Sequence, residues 1–205
     1  DIWTDDFVTL GHNLLAITSK PDEGKQPWLT DKGNILIYNG EIFNYEDLLS
    51  KYNYTPKTTC DTELLAYLLD VIGLDCIDAI DSMHGFAYYD RKNKTITLSR
   101  DHVGIKPLFY AEISDGIIFG SEIKGMIDHV PNARCIDEFA AAAMSYSGIN
   151  ATKHTMFTNI KKVLPGQTLT YSIEHKKFIS NKRTFITADS NGNLDVEQFR
   201  QEAHA

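Results

Sequence analysis

Apolar and polar residues alternate in short runs over the first sixty positions, and a helical period follows from position 61 onward. Alternation between turn residues indicates antiparallel strands, whereas apolar residues three and four positions apart indicate an amphipathic helix. The strands predicted in this way are Phe7 to Leu10, Leu14 to Thr18, Ile35 to Tyr38, Gly85 to Asp90, Thr95 to Ser99, Leu108 to Ala111, Ile117 to Gly120, Thr168 to Ile173 and Phe178 to Ser180.

The clearest helical signal follows Cys60, where leucines and an isoleucine recur at helical spacing from position 64 to position 72. Asp61 or Thr62 is the predicted N-cap, and Gly73 ends the helix. Shorter helices are predicted at Cys76 to Ile80, Ile123 to Ile127 and Asp137 to Met144. Strands and helices are therefore mixed along the chain, as in an α+β protein.

Composition narrows the class of protein. The 205 residues are 42% hydrophobic, which is enough for a core in one large domain. A net charge of -8 without a basic stripe argues against nucleic-acid binding. No apolar run approaches the roughly 20 residues of a membrane span. The three cysteines form no disulfide or zinc pattern, and the seven histidines have no metal-ligand spacing, so a metal-free cytoplasmic domain is expected.

The two ends of the chain suggest a piece of something longer. The chain begins with Asp1 instead of a methionine, and its first residues have strand-like sequence. We therefore expect that Asp1 is not the biological start. Thr187 to Gly192 is a polar linker, and Asp195 to Ala203 predicts a helix without a visible partner. We therefore expect one domain over residues 1–186, followed over 187–205 by a linker and the start of another domain.

Candidate chemistry is concentrated where the third predicted strand ends. Asn39, Gly40 and Glu41 place an amide, a glycine and a carboxylate there, an arrangement that can hold an oxyanion and an ammonium group. Each residue also has a structural interpretation. Asn-Gly is a common turn dipeptide, Glu41 can be a solvated loop charge, and Asp61 can be only a helix cap.

Five ordered blocks of the chain resemble the glutaminase domain of glutamine-hydrolysing asparagine synthetases, a class II glutamine amidotransferase. The blocks are Tyr38 to Asn44, Cys60 to Glu63, Gly85 to Asp90, Arg100 to Tyr110 and Gly120 to Lys124, within a resemblance that runs from Gly11 to about Phe185. It implies an N-terminal-nucleophile hydrolase fold, a four-layer αββα sandwich of two antiparallel sheets, whose first strand and helix this chain lacks. Such order argues against a stand-alone binding module.

The resemblance also implies roles for residues. The family's nucleophile is an N-terminal cysteine whose own amino group is the base. Asn39 and Gly40 would form the oxyanion hole, and Glu41 and Asp61 would bind the substrate α-ammonium group. Leu14 and Ile17 would lie at the substrate pocket. Glutamine and a C-terminal synthetase domain are the implied partners, no cofactor is expected in this domain, and ATP with magnesium would belong to the synthetase domain. A homo-oligomer is compatible with the sequence.

Two departures from the family stand beside these matches. Leu14 takes the place of an arginine that holds the glutamine α-carboxylate, and a leucine has no donor for that purpose. No cysteine precedes the chain, so we expect the polypeptide as given to be inactive. Cys60 lies beside Asp61 but has no histidine or amine next to it in sequence, and a small residue filling a turn is the favoured interpretation.

Two functions follow, one catalytic and one not. The first is a glutaminase domain that supplies ammonia to an ATP-dependent synthetase domain. The second is a non-catalytic scaffold of the same fold that docks a synthetase partner. Two further motifs keep alternative interpretations: Arg100-Asp101 is an ion pair or lines a passage to a partner domain, and Gln26-Pro27 braces the glutamine pocket or is a surface turn.

Overall fold

The computed structural model describes residues 1–14 and 23–184. The strands in this part of the chain are β1 (Ile2–Thr4), β2 (Thr9–Gly11), β3 (Trp28–Leu29), β4 (Ile35–Ile42), β5 (Ser82–Asp90), β6 (Thr95–Arg100), β7 (Phe109–Ile113), β8 (Gly116–Gly120), β9 (Lys161–Lys162), β10 (Gln167–Ser172) and β11 (Lys177–Arg183). The α-helices are α1 (Tyr45–Tyr52), α2 (Asp61–Ile72) and α3 (Glu138–Ser147), and 3-10 helices span Gly73–Asp78 and Ile123–Gly125.

The strands form antiparallel sheets. The largest has six strands in the order β11-β10-β6-β5-β4-β3, so β4 and β5 lie next to each other inside it. Their register runs from Ile35 opposite Tyr89 to Ile42 opposite Ser82. A three-stranded sheet has the order β8-β7-β9, and β1 pairs with β2.

Apolar side chains join these elements into layers. Leu48 of α1 and Leu64 of α2 pack with Leu36 and Phe86 on one face of the six-stranded sheet. The opposite face packs on the smaller sheets through a second core that contains Leu10, Ile35, Ala87, Leu98, Leu108 and Tyr110. Beyond the three-stranded sheet, Met126, Val130 and Ala133 pack against Ala111. The layer order confirms the predicted sandwich of antiparallel sheets between helical segments, with the second sheet layer in two pieces.

The strand prediction for Phe7 to Leu10 is wrong at its start. Asp5 Oδ1 accepts the backbone N–H of Phe7 and of Val8, each at 2.9 Å, and this bends the chain into a turn. β2 therefore begins at Thr9. Ile35 to Tyr38 is confirmed as a strand, but it extends to Ile42 because pairing with β5 continues through Ser82.

The helix from Asp61 to Ile72 is confirmed, and the predicted N-cap is wrong. Cys60 occupies the N-cap position, and Asp61 is the first helical residue. The helices predicted at 76–80 and 123–127 are 3-10 helices with other bounds, Gly73–Asp78 and Ile123–Gly125. The helix predicted from Asp137 to Met144 has Asp137 as its N-cap and extends to Ser147. Positions 15–18, Thr187 to Gly192 and Asp195 to Ala203 lie outside the described residues.

Candidate functional site

A cavity of about 570 Å³ opens between the two sheet layers, where β4 ends and α2 begins. Its wall includes Leu14, Asn39, Gly40, Glu41 and Asp61, so the fold brings together five of the predicted site residues. Ile17, the sixth, lies outside the described residues. The wall also contains residues that the site prediction did not include, namely His12, Gln26, Tyr38, Cys60, Thr62, Gly85 and Lys106.

Strand alternation directs Asn39 and Glu41 toward the interior between the sheets. Ile35 and Ile37 of β4 belong to the core between the sheet layers, whereas Tyr38 and Ile42 face the helices. With a period of two, Asn39 and Glu41 follow Ile37 on the inner face. Within the described residues, neither side chain has a hydrogen-bond partner or an ion pair. Both polar groups are therefore available to a ligand.

The free edge of β4 carries the backbone N–H groups of Tyr38, Gly40 and Ile42, because alternate residues of an antiparallel strand turn their backbone groups to the same side. Gln26 Oε1 accepts from Tyr38 N at 2.6 Å, and Asp61 Oδ2 accepts from Ile42 N at 3.2 Å. Between them, the Gly40 N–H lies on the same free edge by this alternation. It is a backbone donor on the edge that does not pair with β5, next in sequence to Asn39.

Packing alone already requires glycine at position 40. A Cβ there would lie 2.2 Å from the Met83 carbonyl oxygen and 2.8 Å from the Tyr38 ring. Real Cβ atoms do not approach a backbone oxygen so closely, and overpacking of this kind typically costs about 1–3 kcal/mol. The glycine thus has a structural reason that is independent of any substrate.

Asp61 is a buried carboxylate with few partners. Besides the Ile42 N–H, it accepts a hydrogen bond from the Tyr38 hydroxyl at 3.4 Å. Burial raises the pKa of the Asp61 carboxyl and the charge of Glu41 raises it further, while the Ile42 and Tyr38 donors act in the opposite direction. The interpretation of Asp61 as only a cap is wrong, since its carboxylate bonds to β4. Two carboxylates facing one cavity favour a cation between them.

Gln26 is buried, which bears on whether the Gln26-Pro27 turn is a brace of the pocket or a surface turn. Its side-chain amide donates to the Tyr38 carbonyl oxygen at 3.0 Å and to Thr62 Oγ1 at 3.3 Å. Together with the contact to Tyr38 N, these bonds tie the free edge of β4 to the first turn of α2. Gln26 therefore braces the wall of the cavity, and the surface-turn interpretation is wrong. That this cavity is a glutamine pocket stays a prediction.

The Arg100-Asp101 pair holds the loop between β6 and β7. Asp101 is almost fully buried, and its carboxylate accepts backbone N–H groups from Val103, Gly104, Ile105, Lys106 and His84 at 2.6–3.2 Å. Burial raises the pKa of the Asp101 carboxyl, but these donors outweigh burial and lower the pKa overall. Arg100 donates to the carbonyl oxygens of Lys106, Val163 and Gly104. Both side chains therefore have a structural role, but the predicted ion pair is wrong, because in the described part of the chain each of them bonds to backbone groups and not to the other. A passage toward a partner domain stays a prediction.

The segment after β2 also lines the cavity, through His12 and Leu14. Leu14 is 38% exposed and contributes an apolar surface. His12 has a buried Nδ1 atom without a hydrogen-bond partner among the described residues. Burial lowers the pKa of the His12 imidazole, although the Tyr38 carbonyl opposes that shift. Among the described lining residues, this segment therefore contributes an imidazole whose pKa is lowered and no arginine.

Cys60 is 4% exposed, and its backbone N–H donates to Thr58 Oγ1 at 3.1 Å. No hydrogen bond joins its thiol to a histidine or an amine within the described ranges. Residues 1–14 and 23–184 contain no cluster of three metal-ligating side chains. The same residues contain no helix with the length and apolarity of a membrane span.

Solved structures define the class of fold. The glutamine phosphoribosylpyrophosphate amidotransferase of Bacillus subtilis matches with a TM-score of 0.54 and 18% identity over 82% of this chain and 33% of its own. A structure described as the allosteric regulatory enzyme of purine biosynthesis matches with a TM-score of 0.53 and 19% identity over 78% of this chain and 31% of its own. The fold is that of N-terminal-nucleophile amidotransferases.

Sequence comparison gives the family. The glutamine amidotransferase domain model matches residues 1–183, and the chain belongs to this family. Asparagine synthetase [glutamine-hydrolyzing] 3 of Bacillus subtilis is 33% identical over 179 residues, which is 84% of this chain and 29% of the relative. Asparagine synthetase B of Escherichia coli is 33% identical over 150 residues, 71% of this chain and 26% of the relative. The chain thus spans less than a third of the length of these relatives.

Proposed function

We propose that this domain hydrolyses glutamine to glutamate and supplies the ammonia to an ATP-dependent synthetase domain of a longer, asparagine-synthetase-like protein. The domain comprises residues 1–186, and residues 187–205 are the linker and the beginning of the next domain. The observation that carries the proposal is the convergence of Asn39, Gly40, Glu41 and Asp61 on one cavity. Family membership and the names of the relatives support it.

In this proposal one pair of residues stabilises the transition state and a second pair binds the α-ammonium group of glutamine. The Asn39 amide and the Gly40 N–H donate to the oxyanion that forms when the glutamine side-chain amide is attacked. Each donor of this kind is worth about 2.7–4 kcal/mol of transition-state stabilisation in hydrolases. Glu41 and Asp61 bind the α-ammonium group through charge-assisted hydrogen bonds. An ammonium group there also offsets the mutual repulsion of the two carboxylates.

By resemblance to the family, the nucleophile would be an N-terminal cysteine whose own amino group is the base. We expect the 205-residue polypeptide to bind glutamine. Cys60 is not the proposed nucleophile, because no histidine or amine among the described residues is hydrogen-bonded to its thiol. ATP and magnesium act in the synthetase domain, and this domain needs neither.

One observation favours a second candidate function, a non-catalytic scaffold that docks a synthetase domain. Leu14 lines the cavity and has no donor for a carboxylate. A hydrogen bond to a charged group contributes about 1.5–3 kcal/mol, so its absence alone weakens glutamine binding about 10- to 100-fold. A scaffold domain of this kind would not bind glutamine at all.

Calorimetric titration of the whole 205-residue chain with L-glutamine separates the two functions, with D-glutamine as the stereochemical control. We expect saturable binding of L-glutamine, and binding about tenfold tighter in Leu14→Arg because the new guanidinium can pair with the carboxylate. No binding in either protein would contradict a glutamine site. To test activity, we would first determine the N-terminus of the native protein by intact mass. Glutamate release would then be measured on a protein that begins at the family cysteine.

A further inference from the structure

The residues that line the cavity give it an acidic character. In its described part, the wall contains the carboxylates of Glu41, Asp61 and Glu122 and a single lysine or arginine, Lys106. Glu122 is paired with Lys124 at 2.6 Å. Glu41 and Asp61 form no ion pair with a cation in the described part of the chain. The cavity therefore favours ligands that carry a positive charge and disfavours ligands that carry a negative one.

The surroundings of Asp61 are short of positive charge. Burial raises the pKa of its carboxyl group, and the neighbouring charge that adds to this shift is the negative one of Glu41. Its two hydrogen-bond donors, the Ile42 N–H and the Tyr38 hydroxyl, are both neutral. An ammonium group of a ligand would supply the charge that these carboxylates lack, whereas a carboxylate of a ligand would add a further negative charge.

The chemistry of an α-amino acid decides where the carboxylate of a ligand would lie. The ammonium and the carboxylate are attached to the same carbon atom, so an ammonium group bound by Glu41 and Asp61 brings its own carboxylate close to both side chains. Free glutamine is a zwitterion without net charge, whereas a glutamine whose α-carboxyl group is blocked as an amide is a monocation. Because like charges repel and opposite charges attract, the acidic cavity should bind the monocation more tightly.

The wall also has room and apolar surface for a group attached to the blocked carboxyl. Leu14 is 38% exposed, and Ile117 and Phe119 of β8 are partly exposed and line the same cavity. None of these side chains has a donor for a carboxylate. The volume of about 570 Å³ lies within the range of roughly 300–1,000 Å³ that is typical of sites for drug-sized ligands. The cavity is therefore not limited to a single amino acid.

We propose that the cavity binds glutamine with a blocked α-carboxyl group, such as the N-terminal glutamine of a peptide, more tightly than free glutamine. The inference rests on the proposed function, because it keeps Glu41 and Asp61 as the site of the α-ammonium group. Asn39 and Gly40 keep their role toward the side-chain amide. We expect a preference of about tenfold or more, since the blocked ligand carries one charge that the cavity favours and none that it repels.

The test compares ligands that differ at the α-carboxyl group. L-glutamine, L-glutamine α-amide and L-glutaminyl-glycinamide are titrated calorimetrically into the whole 205-residue chain. L-norvaline α-amide has the same ammonium and the same blocked carboxyl group without the side-chain amide, so it controls for non-specific binding of a monocation. We expect both blocked glutamine ligands to bind about tenfold more tightly than L-glutamine, and the norvaline compound to bind about tenfold more weakly than glutamine α-amide.

A variant that changes the charge of the wall should reverse the preference. Leu14→Arg adds a guanidinium that can pair with a carboxylate, so we expect free glutamine to bind more tightly than glutamine α-amide. Leu29→Arg makes the same change at an exposed position of β3 outside the cavity wall, and this matched control should keep the wild-type preference. The comparison of ligands in the wild type does not depend on either variant.

The outcomes separate this inference from the function on which it rests. Free glutamine that binds as tightly as glutamine α-amide, or more tightly, overturns the inference and leaves the proposed function intact. Norvaline α-amide that binds as tightly as glutamine α-amide also overturns it, because the cavity would then select only a monocation. Binding of the α-amide without the dipeptide amide supports the blocked carboxyl group and overturns a peptide substrate. Binding of the blocked ligands alone supports the inference and contradicts hydrolysis of free glutamine, and binding of no ligand overturns both.

Discussion

Two buried aspartates have contrasting surroundings, Asp101 in the loop after β6 and Asp61 in the first turn of α2, where it lines the cavity. Asp101 accepts five backbone N–H groups, whereas Asp61 accepts one backbone N–H and one hydroxyl. The pKa of Asp101 is lowered and that of Asp61 is raised, although burial acts in the same direction on both. The number of donors around each carboxylate decides the sign.

The contrast separates a carboxylate that shapes the chain from one that is open to a ligand. The hydrogen-bonding capacity of Asp101 is used by backbone N–H groups of its own loop and of His84 in β5, so the loop is fixed and nothing is left for a substrate. Asp61 is buried with capacity to spare and has Glu41 as a like-charged neighbour. A buried charge without full compensation is costly, and such sites are typically maintained for binding or catalysis.

The largest effect is expected on the Asp101 side. Asp101→Asn removes the charge and presents an amide NH₂ to backbone N–H groups. We therefore expect the free energy of unfolding, measured in urea, to fall by about 3–5 kcal/mol. Asp101→Ala should lose at least as much. A loss below about 1 kcal/mol in both variants would contradict the view that this carboxylate organises the loop.

The stability of the protein is expected to depend on pH through His84, which contacts Asp101. His84 is buried, with Ser82 Oγ and Ser99 Oγ at its two ring nitrogens, and its backbone N–H donates to Asp101. Burial lowers the pKa of its imidazole to about 4, although the Asp101 charge opposes this shift. The unfolded chain takes up this proton below about pH 6.5, the folded protein only near pH 4. The stability contribution is therefore present above pH 6.5 and lost as the pH falls toward 4, by up to about 3 kcal/mol.

Urea unfolding of the wild type, His84→Gln and the exposed-site control His175→Gln between pH 7.5 and 4.5 checks this expectation. The wild type and the control should lose stability in parallel, and His84→Gln should lose less over the same interval. If stability depended on pH in the same way in all three proteins, the pKa of His84 would be the same in the folded and the unfolded state, and the expectation would be wrong.

The smallest stability effect and a clear binding effect are expected from Asp61→Asn. The raised pKa of Asp61 means that its ionised form destabilises the fold, so we expect stability to change by less than about 1 kcal/mol, with a gain as the favoured sign at neutral pH. Glutamine binding should weaken about 10- to 100-fold, because a charged partner of the ammonium is lost. Unchanged binding would place the ammonium elsewhere and remove the distinction between the two aspartates.

Asn39 to Glu41 and Asp61 were accessible from sequence because they lie in short ordered blocks, and the structure places them in one cavity. Gln26, His12 and Lys106 were not in the predicted site, since their contacts join distant segments. Gln26 bonds to Tyr38, twelve residues away, and to Thr62, thirty-six residues away. The Gln26-Pro27 dipeptide was a usable signal, but a local pattern could not distinguish a buried brace from a surface turn.

Element types followed from apolar periodicity, and element ends did not. α2 was predicted over its full length because both its apolar stripe and Gly73 are local features. The start of β2 was missed because one side-chain carboxylate, Asp5, bends the chain before it. Capping, turn formation and pairing each depend on single hydrogen bonds, which a hydrophobic pattern does not record.

The side chain of Gln26 also bears on how this domain behaves in a crowded solution. Its amide presents one acceptor and one donor to the N–H and C=O of Tyr38, so it imitates the peptide group of a neighbouring strand where β3 has already ended. An open strand edge is a template for pairing with another chain, and one closed by a side chain is not. The same amide that shapes the pocket thus protects the sheet from intermolecular β-sheet growth.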